Sequence, residues 1–588
     1  MARNTIHTLV GVCSLLWLGS AAQATQRLVP SQYATIQAGI DAAAPGDTVL
    51  IINGTYAGPG NQDLDFGGKA IAVRSAGGDP SLCLIDCQRA GRGFTFHSGE
   101  TSAAAVSGIT IRNGVAGNGG AISCTDNSAP TITRCILSAN KSTLRGGALY
   151  CNNSSPTLSK CDFTGNESEN PGGGIYNVAN SNPSISDCSF VNNKAFFEGG
   201  GVSNSSSSPT IARCLFSGNV STSSFEGGGA IYNQFTRFVT VSDCTFTENR
   251  SKRGGGISTT SGNCVVTRCT FLRNFSNGNG GGLSNYGSGT STVANCVFVG
   301  NQASFGGGLN VTSGTATLTN CLFTGNQAEN DGGAIYATGS GSTLTNCTLT
   351  ANSALRDAGG ILNASSGLTV TNCILWADTN AETKDYTGSL VITNSDVQGG
   401  FSGTGNLNAD PLFTDPANGD FHLQAASSGI DMGSDAVVTA PPFLTNGSGA
   451  PLDLDGNLRI AGSAVDMGAY EKIRFSWSGV LQPLNADGSS VCKAGSTVPV
   501  KFVLTGPSAG IADLKATLSY AVVVNGIPGP VISAKSTSAA TSGNLFRPDG
   551  ADGRYLFNWS TKGLASGSYR LYIDLGDGFA RTIDLKLK

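Results

Sequence analysis

Apolar and polar positions between residues 130 and 376 follow a long unit rather than a simple alternation or a helical period. The unit opens with apolar-x-x-Cys-x-apolar, as in Ile132/Cys135/Leu137, Leu158/Cys161/Phe163 and Ile185/Cys188/Phe190, and it recurs ten times, ending at Val370/Cys373/Leu375, with cysteines 25 to 30 residues apart. Three residues after the second apolar position stands an asparagine: Asn140, Asn166, Asn193, Asn219, Asn249, Asn274, Asn301, Asn326 and Asn352. A glycine-rich passage then leads into a further apolar strand, as in Gly172-Gly173-Gly174-Ile175-Tyr176-Asn177. Cys and Phe lie two apart and share a strand face, whereas the preceding Ile lies three before Cys, which requires a corner. Each unit predicts about three short strands and cannot bury its apolar side alone. Parallel stacking at about 4.8 Å buries a continuous Ile/Cys/Phe core, so the pattern predicts an all-β solenoid. Helical periodicity is absent from this body.

The flanks differ. Residues 1–24 carry Arg3, an apolar run from Leu9 to Leu18 and Ala22-Gln23-Ala24, the pattern of a secretory signal. The run is shorter than the roughly 20 apolar residues a membrane span needs. Ile36, Ile40 and Ala44 predict a short amphipathic helix, which would cover the unpaired edge of the first coil. Near the other end, the alternations Val498/Val500/Phe502 and Tyr569/Leu571/Ile573 predict sandwich strands.

Gly-Gly-Ala-Ile (119–122, 332–335) and Phe-x-x-Asn (163–166, 216–219) resemble polymorphic outer-membrane-protein repeats. Tyr33-Ala34-Thr35-Ile36-Gln37 through Ala44-Pro45-Gly46-Asp47-Thr48-Val49 resembles the N-terminal cap of pectin-lyase-like parallel β-helices. Asp410-Pro411-Leu412-Phe413, Asp453-Leu454-Asp455-Gly456-Asn457 and Asp466-Met467-Gly468-Ala469-Tyr470-Glu471 resemble the ending of choice-of-anchor Q proteins. Phe475-Ser476-Trp477-Ser478-Gly479, the stretch Lys493 to Phe502, and Asp574-Leu575-Gly576-Asp577-Gly578 resemble the PxKF domain. After the signal pattern of 1–24, these resemblances imply a right-handed parallel β-helix with its cap (25–395), a choice-of-anchor Q-like terminal segment (396–472) and a small PxKF-like β-sandwich (473–588).

Charge narrows the function. Only 13% of residues are charged, the formal net charge is -4 and no Lys/Arg run exists, which argues against a nucleic-acid partner. Of 17 cysteines, Cys13 lies within the signal. In the ladder, stacked cysteines point the same way and keep their Cβ atoms too far apart to bridge, so they read as small buried hydrophobes. Disulfide candidates are Cys83–Cys87, Cys264 with Cys269, and Cys124–Cys151. His97 and His422 are isolated in the sequence and read as structural or surface groups.

The corner preceding each ladder cysteine carries Arg134, Lys160, Asp187, Arg213, Asp243 and Arg268, then Asn295, Asn320, Asn346 and Asn372. Its sign alternates from Lys160 to Arg268, which suits a register device better than a binding strip. Each exposed pair contributes about 0.2–1 kcal/mol. Tyr150, Tyr176, Tyr232 and Tyr336 should face outward and are candidates for glycan contact, with cross-strand stacking as the structural alternative. Glu198 and Glu226, in Phe-Glu-Gly motifs of adjacent loops with Arg253 in the next, are second-line candidates for an acid/nucleophile pair or a calcium chelate. Asp453, Asp455 and Asn457 are second-line calcium ligands, and no other cofactor is implied. The expected function is a non-catalytic extracellular or cell-surface rod, adhesin-like or matrix-associated, with polysaccharide as candidate partner and no membrane span. The alternative is a polysaccharide lyase or glycoside hydrolase of the pectin-lyase-like superfamily, which would call for a dense Asp/Lys/Arg cluster that the sequence lacks.

Overall fold

The computed structural model describes residues 24–588 apart from 226, 340, 365–366, 439–443, 510, 512–513 and 550–552. The signal peptide therefore lies outside the described residues, save for Ala24. The body is a parallel β-helix. A representative coil contains strands Thr157–Ser159, Asp162–Thr164, Glu167–Ser168 and Ile175–Val178. Equivalent strands stack into four sheets, here numbered I to IV in that order, of 15, 14, 10 and 13 strands. Pairing in these sheets is parallel and matches like with like: Ile132, Leu158, Ile185 and Ile211 align in sheet I, and Phe163, Phe190 and Phe216 in sheet II.

Sheet III corrects the expectation of three strands per coil. Its inward position holds Ser142, Ser168, Ala195, Ser221, Ser251, Ser276, Ala303, Ala328 and Ala354, all buried. With no large apolar residue, this short strand leaves no hydrophobic mark in the sequence.

The predicted corner between sheets I and II is present. Arg134, Lys160, Asp187, Arg213, Asp243, Arg268 and the four asparagines that follow all have φ between 50° and 56°, the left-handed region that Asn and Asp accept most readily. Asp187 and Asp243 each form a bidentate ion pair with the arginine on the next coil, Arg213 at 2.7 and 2.9 Å and Arg268 at 2.5 and 2.7 Å.

Two columns dominate the core. Phe163, Phe190, Phe216, Phe246, Phe271, Phe298 and Phe323 stack with centroids 4.5–5.0 Å apart and planes within 6°. Such pairs contribute about 0.5–1.5 kcal/mol beyond their buried area. Beside them the asparagines form a one-directional ladder. The backbone N–H and Nδ2 of Asn140 both donate to Asn166 Oδ1 at 3.0 Å, and the same pair of bonds repeats coil by coil to Asn352. Each Nδ2 also meets a carbonyl of the preceding coil, as in Asn193 to Phe163 at 2.8 Å. Burying an amide costs little only when its donors and acceptors are met, and here they are. The ladder stops at Asp378, whose Oδ1 accepts from Asn352 at 2.6 and 2.9 Å.

At the N-terminal end, helix α1 (Ile36–Ala42) starts at Thr35, whose Oγ1 accepts from the Ala38 N–H, and it buries Ile36, Gly39 and Ile40. Ala44 does not belong to it: the backbone turns extended at Ala43, which is buried in its place, and Ala44 is exposed. Asp47 ties this cap together, accepting from the backbone N–H groups of Ala44 and Thr25 and from Arg27.

After the last coil, the described residues of the stretch 407–471 include a segment that folds back onto sheet II. Phe413, Phe421, Leu423 and Met467 pack with Leu322 and Ile374, outward-facing residues of that sheet. The chain then forms a small β domain with a 6-stranded and a 3-stranded sheet, antiparallel except where Val491–Cys492 pairs with Lys586–Leu587. Its core includes Val498, Val500, Phe502, Trp559, Tyr569 and Leu571.

Candidate ligand-binding face

The tyrosines are not open platforms. Tyr150, Tyr176 and Tyr232 are only 8%, 6% and 2% exposed. They point out of the barrel as expected, but the glycine passages from sheet III fold over them, so closely that a Cβ at Gly172 would press on Tyr176. Tyr150 and Tyr176 stack on each other, centroids 6.2 Å apart at 13°, with Arg145 over Tyr176. Cross-strand stacking, the structural alternative, describes this geometry.

Glu226 lies outside the described residues. Glu198 is half-buried in its loop, and Arg253 stacks over the Tyr286 ring, 4.3 Å from its centroid.

Asp453, Asp455 and Asn457 are turned away from a common cation. Asp453 is fully buried and accepts from the backbone N–H groups of Asn457 at 2.7 Å and Glu471 at 2.9 Å. Asp455 instead bonds His422 Nε2 at 2.7 Å. His422 is therefore not isolated: its Nδ1 meets Asp420 at 2.6 Å and its ring packs on Tyr470. Burial pulls the imidazole pKa down, but the two carboxylates outweigh it and the net shift is upward. Among the described residues no group of three or more His, Cys, Asp or Glu is arranged to hold a metal.

The disulfide candidates are also corrected. Cys83, Cys87, Cys124 and Cys151 are free and buried, as are the ladder cysteines. Cys124 and Cys151 stand in direct register on neighbouring parallel strands, which points both side chains the same way. The ladder thiols make weak contacts with carbonyls and N–H groups, such as Cys161 Sγ to Ile132 O at 3.5 Å.

What the sequence did not reveal is the outer face of sheet III. Two columns line it, Lys141, Glu167, Lys194, Val220, Arg250, Phe275, Gln302 and Gln327 in one, Glu169, Phe196, Thr222, Lys252, Asn277, Glu329 and Leu355 in the other. Between them run shallow depressions. One, of about 390 Å³, is lined by Lys141, Glu167, Glu169, Lys194 and Phe196. Its charges are paired, Lys141 with Glu169 at 2.9 Å and Lys194 with Glu167 at 3.7 Å. A second, of about 500 Å³, adjoins a third, of about 160 Å³, at Phe275. Large apolar side chains stand out along this side: Leu144, Phe196, Phe225 at 79% exposure and Leu355 at 81%. The signal that could have found it is the alternation of outward polar or aromatic residues around a small residue, right after each ladder asparagine.

A family model described as the right handed beta helix region matches residues 83–237 and 203–323. The Chlamydia polymorphic membrane protein repeat matches residues 320–338, a stretch that holds Phe323 of the ring stack, Asn326 of the ladder and the glycine passage into sheet IV. The body of the chain is a right-handed parallel β-helix, and within it one coil is similar to the polymorphic-membrane-protein repeat. Comparison with curated proteins and with solved structures gives no match. Among the described residues of this β-helix, no helix is long and apolar enough to cross a membrane.

Proposed function

We propose that this β-helix is an exported, cell-surface or matrix-associated rod that binds an extended partner passively along sheet III, in an adhesin-like role. The observation that supports this reading is the pair of adjoining depressions that share Phe275 and run from coil to coil along the rod. An elongated hollow with aromatic and polar walls suits a polymer lying parallel to the rod, and polysaccharide is the partner class we favour. Catalysis finds less support. The carboxylates on this face, Glu167, Glu169 and Glu329, are all exposed, and an acid/nucleophile pair depends on burial to hold its two protonation states apart. The C-terminal β domain is read as PxKF-like and residues 396–472 as choice-of-anchor Q-like, on the motifs quoted above.

The test is retention of the full chain on a panel of insoluble polysaccharides, with the supernatant assayed for new reducing ends and unsaturated products. Retention that weakens on Phe196→Ser with Leu355→Ser, and no products, is expected. Product release abolished by Glu198→Gln or Glu226→Gln would overturn the passive reading.

A further inference from the structure

We propose that the hollow beside Arg250 and Lys252 is an anion site for a glycan strand bearing sulfate or phosphate esters; this rests on the reading of sheet III as the binding face. Val220, Arg250 and Phe275 align on successive coils of one column, and the hollow they share with Thr222, Lys252 and Asn277 contains no carboxylate among its described lining residues. This separates it from the neighbouring depression, where each lysine already has a glutamate. The Arg250 guanidinium sits over the Phe275 ring, 5.6 Å from its centroid, and Lys252 Nζ donates to the Asn277 carbonyl at 3.2 Å. Both cations are thereby held over the hollow by contacts with neutral groups, and among the described residues no carboxylate pairs with either.

The donors are a five-proton guanidinium fork, an ammonium with two further protons, and the Asn277 amide. A tetrahedral ester oxyanion, with three free oxygens, engages more of them than a carboxylate with two. Beyond Phe275 the wall changes to Gln302, Gln327 and Ser353, with Glu329 beside them. Neutral amides and a hydroxyl suit the hydroxyls of uncharged sugar units, and Glu329 opposes a second close anion. A polynucleotide, with a phosphate at every step, needs cations all along its track. The wall fits a hydroxyl-rich polymer with sparse anionic esters.

The experiment is affinity electrophoresis of the full chain through gels containing dextran sulfate, a phosphomannan, unmodified dextran, polygalacturonate or single-stranded DNA. Retardation by the sulfate and phosphate esters is expected, weakening with salt. The double variant Arg250→Gln/Lys252→Gln should bind about tenfold more weakly, the loss of two charge-assisted contacts. Arg134→Gln/Lys160→Gln, which removes equal charge at the corner between sheets I and II, should bind like the parent. Equal melting temperatures establish that both variants are folded. Three results overturn the site: no retardation by either ester, retention unchanged in the Arg250/Lys252 variant, or tighter binding of polygalacturonate or DNA. If the site fails while the Phe196/Leu355 variant still loses retention on another polysaccharide, the passive-rod reading stands without it.

Discussion

Asn320 donates its side-chain amide to the backbone carbonyl of Leu452, 2.6 Å away, joining positions 132 residues apart. The bond belongs to a series. Asn295 donates to the Asp453 carbonyl, Asn346 to that of Asp466 at 3.2 Å and Asn372 to that of Ser434 at 3.0 Å. These four asparagines occupy the corner that carries alternating charges in the earlier coils. The column changes from Arg and Asp to Asn where Ser434, Leu452, Asp453 and Asp466 settle on it, and each asparagine there offers a short neutral donor to the carbonyl above it.

Asn320→Arg restores the residue type of the uncovered coils and tests this directly. It removes the bond to Leu452 and forces a charge into a fully buried position, so a stability loss of at least about 1–3 kcal/mol is expected. Proteolysis within residues 429–471 should accelerate while the preceding coils stay resistant. Cleavage at the parental rate would show that docking does not run through this column.

Asn249→Ala breaks the internal ladder. The Asn219 N–H and Nδ2 both lose the Asn249 oxygen, and the carbonyl of Phe216 and the oxygen of Asn274 lose the Asn249 amide. Several orphaned buried groups at about 1–3 kcal/mol each predict a large drop in denaturant midpoint, larger than for removing the exposed Asp187 pair, which contributes about 1 kcal/mol at most. Chemical denaturation of Asn249→Ala and Asp187→Asn side by side checks the ranking. A reversed order would mean that the corner charges, not the ladder, set coil stacking.

The fold-back segment should loosen as pH rises. Its buried Glu471 carboxyl accepts from the N–H groups of Ala461 and Asp466. Burial, with Asp466 adding to it, pushes the Glu471 pKa up from 4.5 to about 8. Burial likewise takes Asp466 and Asp396 to about 6. A carboxyl whose pKa is raised on folding stabilises fully below its unfolded value, and that stability is lost as pH climbs through the folded value. The window for Glu471 is therefore about pH 4.5 to about 8. Asp47 at the N-terminal cap has the opposite sign. The backbone N–H groups of Ala44 and Thr25, and then Arg27, hold it down at about 2, so its contribution persists until pH falls through that value. Hydrogen exchange, corrected for intrinsic rate, should show falling protection of the Ala461 and Asp466 amides from pH 4.5 to 8 and steady protection at Ala44. Glu471→Gln should flatten the first trend. Constant protection in the parent would refute it.

Much of the fold was legible because stacking repeats its constraints. Ile132, Cys135, Phe163 and Asn166 each stand in columns, and a column ten coils long cannot arise from local propensity alone. The third strand escaped because Ser168 and Ala195 are too small to mark an inward face. The outer face of sheet III escaped for the same reason, since the placement of Arg250 and Phe275 shows only once Ser251 and Ser276 are known to point inward. Tyr150 misled because its direction was correct but its cover, supplied by a glycine passage with no side chains, has no apolar signature. Arg459 went unremarked, yet it is wholly buried and donates to the carbonyls of Asp466 and Gly468. No period marks a residue that occurs once.

The four-asparagine footprint also limits how such a gene can change in length. Duplication of a whole coil upstream of Asn295 adds one more phenylalanine to the pile and one more rung of amides, and every neighbour still meets its own kind. The same duplication between Asn295 and Asn372 would put the carbonyls of Leu452 and Asp466 one rung out of step with their donors. Natural variants of this rod should therefore grow and shrink near its middle, while the stretch beneath the folded-back strap keeps a fixed count, like the notched end of a ruler.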